Sequence, residues 1–379
     1  MTGRRLSRRR CGAVVVGTAS ALGRSSRAAD DAPADSPSDP PLEAIRERAG
    51  LPGMVCGVVE RDGRLRASAA GVRRKGADAP FAVDDCIHLG SCTKAFTATL
   101  AALAVAQGAV GWGSTVDDLL DGEGRVAAGW KGVRLDQLLR HRGGAPSDAP
   151  RQAWREAWAC RRPVVECRAV FVRRLLAEDP PETRGEHHYS NQGYAIAGRM
   201  LEVVLKKPYE VLLAEWLLGP LGITRAGFGP PSTTQPDAPV GHDGQGVPDD
   251  IDNPPAIAPA GTLHMPLAGW ARFLAIHLGG RLPEPLAPLG PLLADLHRPA
   301  DGPPGEALGW VTARRPWGGP VLTHAGSNTR WYCVAWLAPE RGFGVVAATN
   351  QGGDAAARAC DEACASLIAT MTARRLLRR

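Results

Sequence analysis

A serine and a lysine stand three apart in Gly90-Ser91-Cys92-Thr93-Lys94, and an apolar run follows them to Gly108. The chain holds 14 Ser but only 5 Lys, so chance supplies about 0.2 such pairs and the spacing carries weight. Residues 95–108 are good helix formers, apolar on nearly every side and stopped by glycine. A helix that is apolar all round is buried. Lys94 is therefore expected in the first turn of a buried helix, one turn from a serine on the same face. Burying an ammonium is costly unless it is paired or neutral. A desolvated amine beside a hydroxyl is a base-and-nucleophile arrangement. The plainer reading is a surface serine and lysine at a helix start.

Two further stretches carry chemistry-bearing groups. One is His187-His188-Tyr189-Ser190-Asn191, placed at a helix start. With four Tyr and four Asn in the chain, a Tyr-x-Asn match is expected about 0.04 times by chance. A phenol serves as a general acid or base when a cation lowers its proton affinity, and Lys94 would be that cation while protonated. The plainer reading makes Ser190 an N-cap and Tyr189 a core residue. His187 and His188 are adjacent, so on an extended segment they point to opposite sides, which argues against a metal pair. The other stretch is Thr323-His324-Ala325-Gly326-Ser327-Asn328, expected at a strand end. There Gly326 allows close approach of a substrate backbone. No His-Glu-x-x-His or Cys-x-x-Cys spacing occurs, and no metal or cofactor is expected.

The elements that must position these groups are legible in outline. A short helix is expected over 42–49. A hairpin turning at Arg61-Asp62-Gly63 joins strands 54–59 and 65–70. From 115 to about 218 the apolar spacing is helical, with breaks at Pro163 and Pro208. Residues 226–260 and 281–305 are rich in Pro and Gly and read as irregular connections on either side of a helix at 267–278. Strands are expected at 308–313, 321–324, 331–337 and 343–349, then a closing helix at 355–377. Strands at both ends with helices between predict an α/β (α+β) fold. Its antiparallel sheet is assembled from both termini and flanked by helices, with a mostly helical region inserted.

Composition narrows the function classes. The net charge of +6 comes from the front of the chain. Residues 1–28 hold seven Arg and no acid, and the remainder carries 38 basic against 39 acidic residues, so nucleic acid is not an expected partner. A basic stretch, a modest apolar run over 11–23 and small-residue cleavage options predict an export signal over 1–28. The paired arginines allow a twin-arginine route. A Pro/Asp/Ala-rich linker is expected over 29–41. No apolar run is long enough to span a bilayer. Cys160 and Cys167 are the most pairable cysteines of an exported chain. Cys56, Cys333, Cys360 and Cys364 read as core, as does Cys92.

Taken together, Ser91-x-x-Lys94, Tyr189-x-Asn191 and His324-x-Gly326 resemble the serine β-lactamase-like hydrolases. That group includes class C β-lactamases, D-Ala-D-Ala carboxypeptidases, D-aminopeptidases and related esterases. The likeness runs from about 42 to 370. It includes Leu138-Leu139-Arg140-His141-Arg142-Gly143-Gly144, Pro220-Leu221-Gly222 and Pro259-Ala260-Gly261-Thr262-Leu263. It implies one β-lactamase/transpeptidase-like catalytic domain over 42–379, with a sheet region at 42–90 and 306–379 and a helical region at 91–305. It also implies a covalent acyl-enzyme on Ser91, with Lys94 and Tyr189 sharing the proton transfers and the choice of base left open. Asn191 would orient the substrate amide, and the backbone N–H groups of Ser91 and Ser327 would hold the oxyanion. Where lactamases carry Lys-Thr-Gly, this chain has His324-Ala325-Gly326. A histidine is mostly neutral at pH 7, so carboxylate recognition weakens unless Arg330 restores a cation.

The leading expectation is thus an exported, cofactor-free serine hydrolase, periplasmic or extracellular, acting on a small-molecule ester or amide. A D,D-peptidase or weak β-lactamase acting on cell-wall peptides is the enzymatic alternative. A catalytically silent scaffold or binding protein is the non-enzymatic one. Oligomeric state is left open.

Overall fold

A computed structural model of the protein describes residues 41–233, 237–302 and 305–376. The expected export signal and all but the last residue of the expected linker lie outside them. Helix α1 (Leu42–Ala49) closes at Gly50 in the left-handed conformation, φ +66°. Strands β1 (Gly53–Glu60) and β2 (Leu65–Gly71) pair as the Asp-Gly signal predicts, Gly57 facing Ala67. A short strand β3 (Cys86–His88) runs into a 3-10 turn at Gly90–Cys92 and helix α2 (Thr93–Ala106).

The helical region follows. It comprises α3 (Val116–Leu120), α4 (Leu135–Leu139), α5 (Arg151–Ala159), α6 (Val164–Leu176), α7 (Asn191–Leu205) and α8 (Tyr209–Leu213). Prolines set the breaks: Pro163 and Pro208 stand immediately before α6 and α8. A largely irregular stretch holds β4 (Gly227–Phe228) and α9 (Ala258–Gly261). Then come β5 (Leu263–Pro266), α10 (Leu267–His277) and α11 (Leu293–His297). The chain ends with β6 (Val311–Arg315), β7 (Gly319–Ser327), β8 (Tyr332–Ala338), β9 (Phe343–Thr349) and helix α12 (Asp354–Leu376).

The main sheet has the order β2-β1-β9-β8-β7-β6 and is antiparallel throughout. Strand β1 from the front of the chain lies beside β9 from the back, with Met54 opposite Thr349. The sheet is therefore assembled from both ends, as expected. Its strands alternate with period two between two apolar layers. Val55, Val59, Cys333, Ala335, Val346 and Ala348 face the helical side. Met54, Cys56, Val58, Val334, Val345 and Ala347 face α1 and α12, where Cys360 and Cys364 join the core. Both faces are covered, so both sets of strand residues are apolar.

Helix α2 is the hub of the helical side. Residues Thr93 through Ala104 are buried without a break. Its threonine hydroxyls are satisfied inside: Thr97 donates to the Pro259 carbonyl at 2.6 Å, and Thr99 to the Ala95 carbonyl at 2.8 Å. Phe96 stacks on Phe273 of α10, with ring centroids 3.6 Å apart. The Cys160–Cys167 disulfide joins the end of α5 to α6. Among the described residues, no helix is long and apolar enough to cross a membrane.

Three expectations change. Strand β6 begins at Val311 and not at 308, because Gly309 takes φ +76° and breaks the extended run. A Cβ at Gly309 would stand 2.7 Å from the Ala95 Cα, so this glycine is where the chain meets α2. The connection at 281–305 is more regular than its prolines imply, carrying a 3-10 segment over Glu284–Leu292 before α11. A second sheet, β3-β5-β4, has no counterpart in the sequence pattern. Its strands are only two to four residues long, too short to display a period.

Candidate active site

The fold brings the chemistry-bearing stretches to one site. Ser91 sits in the 3-10 turn, and Lys94 follows in the first turn of α2. Lys94 Nζ lies 3.1 Å from Ser91 Oγ, 2.8 Å from Asn191 Oδ1 and 2.8 Å from the Ala260 carbonyl oxygen. The side chain is fully buried, and no salt bridge reaches it among the described residues. Instead Nζ lies over two aromatic rings, 4.8 Å from the Tyr189 centroid and 5.4 Å from that of Tyr194. Burial pulls its pKa from 10.5 down to about 7. A sizeable neutral fraction therefore exists at neutral pH.

Tyr189 completes the group from the other wall. Its hydroxyl donates to Ser91 Oγ at 2.7 Å. Its neighbour Ser190 fixes it in place. The Ser190 hydroxyl caps α7 by accepting from the Gly193 N–H at 3.1 Å and donates to the Pro146 carbonyl at 2.6 Å. Ser190 is thus the N-cap of the plainer reading, but Tyr189 is not core. It keeps 41% of its surface exposed. The expectation that Lys94 lowers the phenol's proton affinity is reversed. Desolvation of the hydroxyl pushes its pKa up, against the hydrogen bond to Ser91. The open face of the ring blunts that shift. A half-neutral lysine gives little cationic help in the other direction.

Strand β7 supplies the third wall. At Gly326 a Cβ would stand 2.1 Å from the Leu89 carbonyl oxygen and 2.9 Å from the Ser91 nitrogen. The strand backbone thus lies directly on the Ser91 turn. Gly90 answers from the other side, with φ +46° and Ser327 N only 2.5 Å from where its Cβ would be. Only glycine fits either position. The backbones of Ser91 and Ser327 are therefore neighbours, as a two-donor oxyanion site requires. The Ser327 hydroxyl is spent on the turn itself, donating to the Trp331 carbonyl at 2.7 Å.

His324 is buried, and its Nδ1 lies 2.7 Å from the Gly309 carbonyl oxygen, which assigns the proton to Nδ1. Burial and then Lys94 hold its pKa down at about 4, so it is neutral at pH 7. Arg330 does not stand free as a substitute: it ion-pairs with Asp249 at 2.8 Å. Cys92 is a small core residue, its Sγ 3.6 Å from that of Cys333.

The structure adds residues that the motifs leave out. His141, in the Leu138–Gly144 stretch, takes φ +58° and accepts the Ser190 N–H on Nδ1 at 3.0 Å. Its ring lies 4.4 Å from that of Tyr189, centroid to centroid. Glu306 is buried beside the site and its pKa is pushed up to about 7 by desolvation, with Lys94 opposing. His88 accepts the Gly90 N–H at 3.0 Å and meets Asp252 at 2.8 Å, bracing the nucleophile turn from behind. A histidine in a glycine-rich turn is a visible signal for His141. Glu306 stands alone in an irregular segment and gives none. His187 and His188 do diverge, the first toward Glu306 and the second toward Glu182 and Glu186. Among the described residues no group of three or more His, Cys, Asp or Glu is arranged to hold a metal.

Known proteins share this fold. The family model described as Beta-lactamase matches residues 42–367. Penicillin-binding protein 4 of Amycolatopsis lactamdurans is 28% identical over 335 residues, spanning 82% of this chain and 84% of that protein. Among solved structures, D-alanine carboxypeptidase AmpC from Burkholderia cenocepacia superposes with a TM-score of 0.72 at 20% identity. The match covers 86% of this chain and 96% of that one. A beta-lactamase from Sulfitobacter sp. EE-36 gives 0.74 at 20% identity, covering 88% and 96%. At such identities the structural likeness speaks for the fold.

Proposed function

The chain belongs to the Beta-lactamase family of serine hydrolases, and from that premise we propose that it cleaves an ester or amide through an acyl-enzyme on Ser91. The observation that carries this reading is Lys94: fully buried, without a carboxylate in contact among the described residues, and 3.1 Å from the Ser91 hydroxyl. Its lowered pKa makes Lys94, and not Tyr189, the base. Ser91 Oγ attacks the carbonyl carbon and its proton passes to Lys94 Nζ. The oxyanion rests on the N–H groups of Ser91 and Ser327. Tyr189, 2.7 Å from Oγ, gives its proton to the leaving oxygen or nitrogen and regains one from Lys94. Water then attacks the acyl-enzyme by the reverse relay. Asn191 orients the substrate amide while its Oδ1 accepts from Lys94.

The substrate is an uncharged ester or amide. His324 is neutral and Arg330 is occupied by Asp249, so neither offers a fixed cation to a carboxylate at the His324-Ala325-Gly326 strand. The alternative, a D,D-peptidase or weak β-lactamase, is favoured by the relative called Penicillin-binding protein 4. The catalytic unit is residues 42–379, and the protein is exported. The Cys160–Cys167 disulfide suits an oxidising compartment. N-terminal sequencing of secreted protein checks the last point, an intact Met1 counting against export.

A fluorophosphonate adduct on Ser91, found by mass spectrometry and absent in Ser91→Ala, is the expected result. A folded protein that takes no adduct would return the scaffold reading to first place. A small chromogenic ester, a cephalosporin and a D-Ala-D-Ala peptide, run side by side, then separate the substrates. Rapid cephalosporin turnover without ester cleavage would put the β-lactamase reading ahead of the esterase one.

A further inference from the structure

The acyl-transfer chemistry uses Lys94 and Tyr189, but both are backed by a group with no part in it. Glu306 lies just before β6 with its carboxyl buried. One carboxyl oxygen is 3.7 Å from His141 Nε2 and the other is 3.7 Å from His187 Nε2. Neither imidazole nitrogen has a hydrogen-bond partner among the described residues. His141 accepts the Ser190 N–H on Nδ1, so its proton is on Nε2, facing the carboxyl. The same ring lies against that of Tyr189. Carboxyl, imidazole, backbone amide and phenol thus form one connected stack.

We propose that Glu306 is a positioning residue for the Ser91 site, its carboxyl orienting His141 behind Tyr189 and its charge acting on Lys94 through space. The proposal rests on Ser91 being the acylated residue.

Every charged neighbour of the carboxyl bears on this. The charges of Lys94 on α2 and of Arg140 and Arg142 in the turn after α4 all favour its ionised form. Tyr189 and Tyr194 face it from the α7 side, and its charge disfavours their ionisation. His141 and His187 are held neutral, chiefly by burial. The carboxyl is therefore the one acidic group in this cluster poised to change charge near neutrality. While ionised it stabilises Lys94 as a cation, and while protonated it releases Lys94 to act as a base.

The test reads the rate of Ser91 labelling by a fluorophosphonate against pH, using the full chain and intact mass. That readout needs no natural substrate. In Glu306→Gln the anion is gone, Lys94 loses its proton more readily, and the midpoint of the labelling profile moves down by about one pH unit. Glu306→Asp keeps the charge and keeps the wild-type midpoint at a lower rate. An unmoved midpoint in Glu306→Gln overturns the proposal even if the rate falls, since lost packing alone would lower the rate. Should that variant not fold, infrared difference spectra of the wild type decide. A protonated-carboxyl band that titrates with the labelling midpoint and shifts in frequency in Glu306→Asp supports the proposal. A carboxyl population fully ionised from pH 5 to 9 overturns it. Failure of the wild type to label on Ser91 is a different outcome and strikes at the hydrolase reading.

Discussion

Lys94 is where one residue's chemistry can be isolated. A lysine with all its surface removed from water holds its proton poorly, and its pKa falls from 10.5 to about 7. That depression has a stability signature. Between pH 7 and about 10.5 the unfolded chain binds this proton and the folded chain does not, so stability rises with pH across that window. Below pH 7 both states hold the proton and the burial penalty is complete. Urea unfolding of wild type and Lys94→Met from pH 7 to 9.5 should therefore converge as the pH rises. The wild type should gain on the variant by up to about 1.4 kcal/mol per pH unit. The same variant should lose Ser91 labelling by about 10²- to 10⁴-fold, the usual worth of a positioned base. A variant that labels normally would remove Lys94 from the chemistry.

At the scale of elements, the nucleophile turn and strand β7 act as one piece. Gly326 and Gly90 permit the two backbones to touch, and the atoms in the way of a larger residue are main chain. Gly326→Ala cannot be relieved by a rotamer change. The strand must move off the turn, carrying the Ser327 N–H with it. Losing one oxyanion donor is worth about 2.7–4 kcal/mol, so the labelling rate should fall about 10²- to 10³-fold. The melting temperature should fall as well, because β7 is an inner strand of the sheet. A variant with wild-type labelling kinetics would mean that Ser327 does not hold the oxyanion. His88 and Asp252 brace the same turn from behind, so the turn is held on both sides.

For the whole molecule, the governing fact is that β1 pairs with β9 across almost the length of the chain. Helix α12 then covers one face of that sheet together with α1, burying Ala359, Cys360, Ala363 and Cys364. A chain ending at Thr349 loses this layer and should fail both to fold and to label. A chain beginning at Pro41 keeps every element from α1 to α12 and should label Ser91 at the full rate. Circular dichroism and intact mass on the two truncations check both statements. Failure of the second would place part of the catalytic unit within residues 1–40, against the domain limits proposed.

The sequence by itself determined the local elements and the reactive types. Apolar periodicity wrote α2 as a buried helix, glycines and prolines wrote the breaks, and three short spacings wrote Ser91, Lys94, Tyr189, Asn191 and His324. These are decided by neighbours along the chain, within one turn or one strand. What only tertiary structure decided is their protonation and their backing. Whether Lys94 is neutral depends on burial and on the charge of a carboxyl far away in sequence. The charge of Glu306 acts on it from 212 positions downstream, out of a segment with no pattern of its own. Arg330 looked available until the fold set Asp249 against it, 81 residues upstream. Electrostatics inside a protein acts through space and through excluded water, and neither is written in the spacing of residues along a chain.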